Sequence, residues 1–599
     1  MKHRLLPKKK GGKKESCFKT FSHSQAREAI YKLQDAARQL ETNLEKNKTQ
    51  LAPAKSQFML FTKKRKIPNG LPNIILAGGM VPKTEEAKFL GVKLDSKLKW
   101  TNHIQYMVAK MNKRVNFIRS LSGHWWGSHP MTLIRAYQAL VRSVTDYAAG
   151  VYDPTTKKNW NHLELPQRQG LRVCLGAMKS SPIVAIQAEA AQMPLKNRLN
   201  MLTDRAILKW HSITNHPVIN LLNSWAGAHR TKRKQLLLKR FEKFPVDPNQ
   251  IEKSPVPKCY SVQIEKLTST PEININFPPI PYVAKESEDE KEIFKYLIKT
   301  TWKNYHILST DGSKGNPEEN VGAAMVDYSG RPIKAKMLKL QPNTEIYEAE
   351  AKALHLALVH AEEINPGHGK EILILVDNKG LLLNLTNFIR EQESSTISDI
   401  REKLANLEEI GTKVKLNWVP SHKKISPNEL ADYFAKLARK AGKEENAPQH
   451  YSTFSNKIKH QTEQEVQQNW ENHPKGRKNY RIQPTFPKRP WIAKAPDQNR
   501  NTLATIIRLR IGHTHCPAHL HRINAIPSPV CSRCGEIADD NHLLNNCKFT
   551  DKSAFEDILK AEGLETQYPE IFKVQKQEEV KTVAEAFKQL LAANSHLKL

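Results

Sequence analysis

Long apolar runs are missing from this chain of 599 residues. No stretch approaches the ~20 apolar residues that a membrane-spanning helix needs, so no membrane partner is expected. The first residues, Met1 to Lys14, are basic and have no apolar core behind them, which is not the pattern of a secretory signal. Cysteine is scarce and odd in number, and seven such residues do not make a disulfide framework. These absences point to a reducing compartment, nucleus or cytoplasm, and away from secretion. Acid is also in short supply: 60 Asp and Glu against 94 Lys and Arg leave a net charge of +34. Such a surplus attracts polyanions, nucleic acid foremost. An anionic membrane surface is the other common polyanion, but no Lys/Arg-rich helix here has a broad apolar face.

What is present divides the chain by composition. Residues 1–20 are a basic tail, with seven Lys or Arg in the first 14. Apolar residues then recur at helical spacing (Ile30, Leu33, Ala37, Leu40, Leu44). Phe58–Phe61 and Phe89–Leu94 read as short strands, and helical patterns dominate from Thr101 to Trp225. Residues 226–300 are rich in Lys and Pro, with PVDP, SPVPK and FPPIPY, which is linker composition. A compact α/β block spans 301–443. A second polar linker is expected at 444–500, a Cys/His-rich region at 501–550 and a helical tail at 551–599.

Within the compact block, strand-like and helix-like periods alternate: three strands, helix, strand, helices, strand, helix. The expected architecture is a mixed five-stranded sheet with flanking helices. Two strands end in an acid, Ile307 to Asp311 and Ile372 to Asp377, and such ends can converge at one sheet edge. On the crossing helix, Glu350 shares the face of Ile346, Ala353, Leu354 and Ala357. Glu348 lies about 200° around the helix from it, on the wet side with Lys352 and His355. Asp432, one turn into the last helix, points back with Asn428 and Ala435. Four acids gathered in one place repel each other and are costly to desolvate, so the cluster implies bound cations. Oxygen ligands select Mg²⁺ or Mn²⁺. Two such ions roughly 3.5–4 Å apart can activate a water and stabilise a leaving oxygen in phosphodiester hydrolysis.

Taken together, TDGS at 310–313, AEAKAL at 349–354, LVDN at 375–378 and WVPSHKKISPNELADYFAKLA at 418–438 resemble the successive signatures of type 1 ribonuclease H. The resemblance implies Asp311, Glu350, Asp377 and Asp432 as ligands of two Mg²⁺ or Mn²⁺ ions. It also implies His422 as a proton-transfer or product-release residue. The implied activity is endonucleolytic cleavage of the RNA strand of RNA–DNA hybrids, leaving 3′-hydroxyl and 5′-phosphate ends. Two positions depart from the pattern: Asn378 where Ser usually follows the third acid, and Pro427 where Gly usually precedes Asn428.

Further resemblances flank this block. KSQFMLFTKKRK at 55–66, EAKFLGVKLDSKLKWTNHI at 86–104 and LIRAYQALVRSVTDYAAGVY at 133–152 resemble the palm end and thumb of a jockey-like non-LTR retrotransposon reverse transcriptase. Residues 21–225 would then be a mostly helical polymerase remnant. No Tyr-x-Asp-Asp motif precedes it, so DNA synthesis is not expected. Lys110, Lys113, Arg114 and Arg119 either grip a nucleic-acid backbone or form a solvated helix face.

Cys531-x2-Cys534-x7-His542-x4-Cys547 supplies three thiolates and an imidazole, a closed tetrahedral set for structural Zn²⁺. With the preceding stretch from Arg508 it resembles the C-terminal CCHC knuckle of the same polyproteins. His513, His515, His519 and His521 read as contacts to phosphate or solvent and not to metal. The combined expectation is a multidomain, truncated retrotransposon polyprotein that binds RNA and RNA–DNA hybrids and cleaves the latter. The rival is a nucleic-acid-binding relic without catalysis.

Overall fold

A computed structural model of the chain describes residues 25–46, 52–62, 70–123, 126–154, 156–226, 236–253, 272–278, 289–316, 318–364, 371–386, 394–595, 597 and 599. The basic tail at 1–20 lies outside them, as do SPVPK and most of FPPIPY. Two compact units emerge. One is Met193–His473; the other combines Met1–Gln192 with Pro474–Leu599. No helix among the described residues is long and apolar enough to cross a membrane.

Met193–His473 is built on a mixed sheet of strands β1 (Glu272–Asn274), β2 (Tyr305–Ser313), β3 (Val321–Asp327), β4 (Lys334–Leu340), β5 (Glu371–Val376), β6 (Val414–Trp418) and β7 (Lys443–Glu444). They lie in the order β7-β4-β3-β2-β5-β6-β1. Strands β2, β3 and β4 form an antiparallel meander, and β5 and β6 continue from β2 in parallel. Helices α1 (Glu290–Lys299), α2 (Ile346–Ile364), α3 (Lys379–Thr386), α4 (Ser395–Glu409) and α5 (Ser426–Ala441) accompany it.

Every residue of β3 is buried, because both faces are covered. Val321 and Ala323 pack on Ala349 and Ala353 of α2. On the opposite face α5 comes so close that a β-carbon at Gly322 would meet the Ala435 carbonyl oxygen at 2.0 Å. Alternation along the neighbouring strands does the same work. Leu308, Ile374 and Leu416 join the core with Leu354, Leu358 and Ile400, while Ile307, Leu373 and Leu375 face the other way with Phe294 and Leu297.

Several boundaries differ from the sequence expectation. The sheet has seven strands and not five, because β1 and β7 add to its two edges; at three and two residues they are too short to carry a period. The 226–300 segment is not all linker: α1 closes one face of the sheet. Nor is 444–500 a linker. Tyr451–Asn472 is a helix that buries Phe454, Ile458, Thr462, Val466 and Trp470 at i, i+4 spacing, a stripe one residue wide among Gln, Asn and Glu. Phe89–Leu94 is not one strand: Glu86–Phe89 and Val92–Asp95 form a hairpin. Its turn is Leu90–Gly91, both at positive φ, the geometry that matches strand twist.

The second unit joins chain segments expected to stand apart. Arg500, on the helix Arg500–Ile511, donates to the carbonyls of Val173 at 2.7 Å and Cys174 at 2.9 Å. Arg508 donates to that of Gly176 at 2.8 Å. These carbonyls cluster at the end of the helix Lys157–Leu175, where partners along the helix run out. The knuckle region is therefore part of a larger helical body. So is the C-terminal segment, where Phe587 stacks on Phe572. Residues 193–225, expected with the N-terminal third, fall in the other unit.

Candidate active site

Parallel pairing sets Thr310 opposite Val376, so the next residue on each strand, Asp311 and Asp377, emerges at the same edge. Gly312 lets the edge of β2 approach the first turns of α2, where Glu350 is buried. The carboxylates of Asp311, Glu350 and Asp377 each offer an oxygen within 4.8 Å of the others. Asp311 and Glu350 are both 5 % exposed.

Burial pushes the Asp311 carboxyl up to about 8, helped by the charges of Asp377 and Asp432. Burial, then Asp377 and Asp311, hold Glu350 well above the usual carboxylate range. Burial raises Asp377 too, against hydrogen bonds from Ser421 and Asn428 and the charge of His422. Three crowded carboxylates in low dielectric cannot all ionise without a compensating cation. Buried Glu350 Oε2 has no hydrogen-bond partner. An all-oxygen donor set with an unpartnered inward oxygen fits a hard divalent ion.

The structure brings together three of the four expected acids and sets the fourth at the rim. Asp432 accepts from Lys436 at 2.6 Å, and although it raises Asp311 it does not join the close group. His422 sits on an exposed loop at φ 57°, near enough for its charge to favour ionised Asp377. Glu348 is turned to Thr396, which donates to it, so the helix-face argument for Glu350 agrees with the geometry.

Both departures from the family pattern have local roles. Asn378 Oδ1 accepts from the Leu381 amide at 3.0 Å and caps α3, as a short polar side chain before a helix does. Pro427 occupies the first turn of α5, where its missing N–H is no loss. Ser421 and Asn428, both inside the WVPSHKKISPNE motif, are site residues that the sequence does not single out. Trp418 adds a further tie, its indole N–H donating to the Asp377 carbonyl at 3.0 Å.

A second ligand set lies in the other unit. Cys531, Cys534, His542 and Cys547 offer ligand atoms within 4.8 Å of one another. Gly535, at φ 79°, folds the knuckle back so that its amide reaches the Cys531 carbonyl at 2.9 Å. Burial opposes ionisation of Cys531, yet the backbone N–H groups of Arg533 and Cys534 pull its thiol down to about 6. Glu536 lies 2.9 Å from His542 Nδ1, leaving Nε2 for a metal. Three sulfurs and one nitrogen fit zinc.

Comparison with known proteins agrees with the first of these sites. A family model described as RNase H matches residues 303–440, so the chain carries an RNase H domain, of a hydrolase family whose activity suggests cleavage of RNA in RNA–DNA hybrids. The match spans β2 to α5 and contains all four acids and His422. No curated protein matches the chain.

Proposed function

We propose that the protein is a ribonuclease H, cutting the RNA strand of RNA–DNA hybrids endonucleolytically to leave 3′-hydroxyl and 5′-phosphate ends. The observation that carries this reading is the buried triad with its unpartnered Glu350 oxygen. In the proposed reaction Asp311, Glu350 and Asp377 would hold two Mg²⁺ or Mn²⁺ ions, with Asp432 contributing from the rim. Such ions, when bound, would supply an activated water and charge stabilisation at the leaving oxygen. Ser421 and Asn428 oppose the effect of burial on Asp377, favouring its ionised form, and fix its direction. His422, on its exposed loop, carries a proton on its imidazole toward the leaving 3′ oxygen. RNA is told from DNA by its 2′-hydroxyls in the wide minor groove of the hybrid.

The flanking resemblances support an origin in a non-LTR retrotransposon polyprotein, with a structural zinc knuckle and a nuclear or cytoplasmic setting. Purified protein incubated with end-labelled hybrid and Mg²⁺ should give internal RNA cuts, and Asp377→Asn should slow them by about a hundredfold or more. Equal cleavage by both proteins would remove Asp377 from the mechanism. Tight hybrid binding without cleavage by either would favour the non-catalytic reading that the +34 charge also permits.

A further inference from the structure

A cavity of about 710 Å³ opens within the unit formed by Met1–Gln192 and Pro474–Leu599, and its lining carries five cations: Arg168, Arg172, Lys179, Lys475 and Arg522. No carboxylate lines it. The acids nearby are already engaged, Glu164 by Arg168 and Asp540 by Lys478 and Thr514. Burial and the charge of Arg168 lower the proton affinity of the Arg172 guanidinium, as desolvation and a like charge nearby do.

The uncharged groups there are arranged as donors. Arg522 can only donate, so its 2.6 Å contact makes His519 Nδ1 an acceptor and puts the proton on Nε2. That nitrogen lies 3.0 Å from Ser180 Oγ, which is 3.1 Å from His513 Nδ1. The hydroxyl therefore receives from His519 and donates to His513, leaving the His513 Nε2–H as a donor. Burial, with His519 and Arg522 beside it, pushes His513 down to about 4, so the ring is neutral and the relay keeps this direction. Ser181 Oγ, on a residue 2 % exposed, and Arg172 Nε are buried without partners. A cavity offering cations and N–H or O–H donors, with two buried donors unspent, calls for a ligand made of anionic acceptors.

We propose that this cavity binds successive backbone phosphates of a single nucleic-acid strand. With Arg168 already paired to Glu164, Arg172, Lys179 and Arg522 alone exceed what one phosphate monoester, at about −1.5 to −2, would neutralise. A strand brings several phosphates, and the surplus of basic residues along the whole chain suits one. The polyphosphate tail of a free nucleotide shares this chemistry and is the competing source. The site is independent of the carboxylate cluster and of any nuclease activity.

The test uses the full chain, without added divalent ions, and a short labelled single-stranded RNA followed by fluorescence anisotropy. Lys179→Gln with Arg522→Gln removes two exposed cations of the cavity. Lys573→Gln with Lys581→Gln removes two exposed cations elsewhere in the same unit. The cavity pair should weaken binding about tenfold and flatten the salt dependence of log K by about 1.4, two contacts at roughly 0.7 each. The control pair should change affinity by less than about twofold. Ser181→Ala, which leaves the charge untouched, should weaken binding several-fold at an unchanged melting temperature. Equal losses from the two pairs would overturn the proposal. Loss of tripolyphosphate binding in the cavity pair with RNA affinity intact would reassign the site to free polyphosphates and overturn the strand.

Discussion

Gly312 and Glu350 approach so closely that a β-carbon on the first would stand 2.9 Å from the backbone nitrogen of the second. The same carbon would lie 3.1 Å from the Ala349 side chain. Backbone on one side and a buried methyl on the other leave no soft neighbour to give way, so strand and helix must part. Overpacking of this kind costs about 1–3 kcal/mol. The larger effect falls on Asp311 and Glu350, carried by the two elements being pushed apart. Gly312→Ala should retain the fold, judged by circular dichroism, and lose about a hundredfold in hybrid cleavage, as expected for displacement by a fraction of an ångström to an ångström. Wild-type rates in a well-folded Gly312→Ala protein would show that the approach is not needed.

The raised carboxyls tie stability to pH and to divalent ions. Asp311 ionises near 3.9 when unfolded and at about 8 when folded. A group with a raised folded value stabilises the fold fully below the unfolded value, and that contribution disappears as pH climbs through the folded one. Without divalent ions, the Met193–His473 unit should therefore melt at progressively lower temperature from about pH 4 to pH 8. One proton per unit of pH corresponds to about 1.4 kcal/mol. Saturating Mg²⁺ should lift the alkaline end most, and Asp311→Asn should flatten the metal-free slope. A melting temperature insensitive to both pH and Mg²⁺ across this window would remove the cation requirement argued from the triad.

How far the sequence alone leads depends on the range of the interaction. Strands β2, β3 and β5 were legible because buried apolar runs ending in Asp311, Val326 and Asp377 are local patterns. Glu350 was separable from Glu348 because a helix puts two residues on different faces. Ser421 stayed hidden because a loop serine has no period, and its bond to Asp377 exists only once the loop folds over. The Arg510 guanidinium meets the Glu189 carboxylate at 2.9 Å, both residues 1 % exposed. It also donates to the Phe572 carbonyl and to Gln483. In the sequence Arg508 and Arg510 belong only to a stretch that resembles a knuckle region, with no sign of their partners. Only the fold shows that arginines of this helix satisfy carbonyls and a buried acid far away in the chain, which is why the boundaries of the second unit were not foreseen.

Away from the site, Asp327 at the end of β3 gathers two histidines: His306 Nε2 at 2.8 Å and His360 Nε2 at 3.1 Å, with the Gly330 amide at 2.7 Å. Burial would raise this carboxyl, but the hydrogen bond from His360 and the charge of His306 hold it below the usual range. Its stabilising contribution is therefore present above about pH 3.9 and disappears as pH falls through the folded value. Asp327→Asn leaves buried partners poorly satisfied and should lower stability at neutral pH by about 1–3 kcal/mol. The deficit should shrink below pH 4, where the wild-type carboxyl also protonates. A constant difference between the two proteins from pH 7 to pH 3, read from denaturant melts, would contradict the charge-based origin.

The Cys531, Cys534, His542 and Cys547 set makes its own prediction because its geometry is closed. Four ligand atoms within 4.8 Å leave no open coordination position, so the metal would hold structure and take no substrate. The purified chain should carry one equivalent of zinc by elemental analysis. Chelation should melt the Met1–Gln192 and Pro474–Leu599 unit at lower temperature while sparing the RNase H domain, since the ligands lie in one unit only. Glu536 touches no metal position, but its carboxylate sits 2.9 Å from His542 Nδ1 and holds the ring with Nε2 toward the sulfurs. Outer partners of this kind are worth about 10–100-fold in affinity. Glu536→Gln should therefore weaken zinc by about tenfold in competition with a chromophoric chelator, and Cys531→Ser should abolish stoichiometric binding. Zinc retained at full affinity in the Cys531→Ser protein would place the metal elsewhere and leave these four residues as a packed knuckle alone.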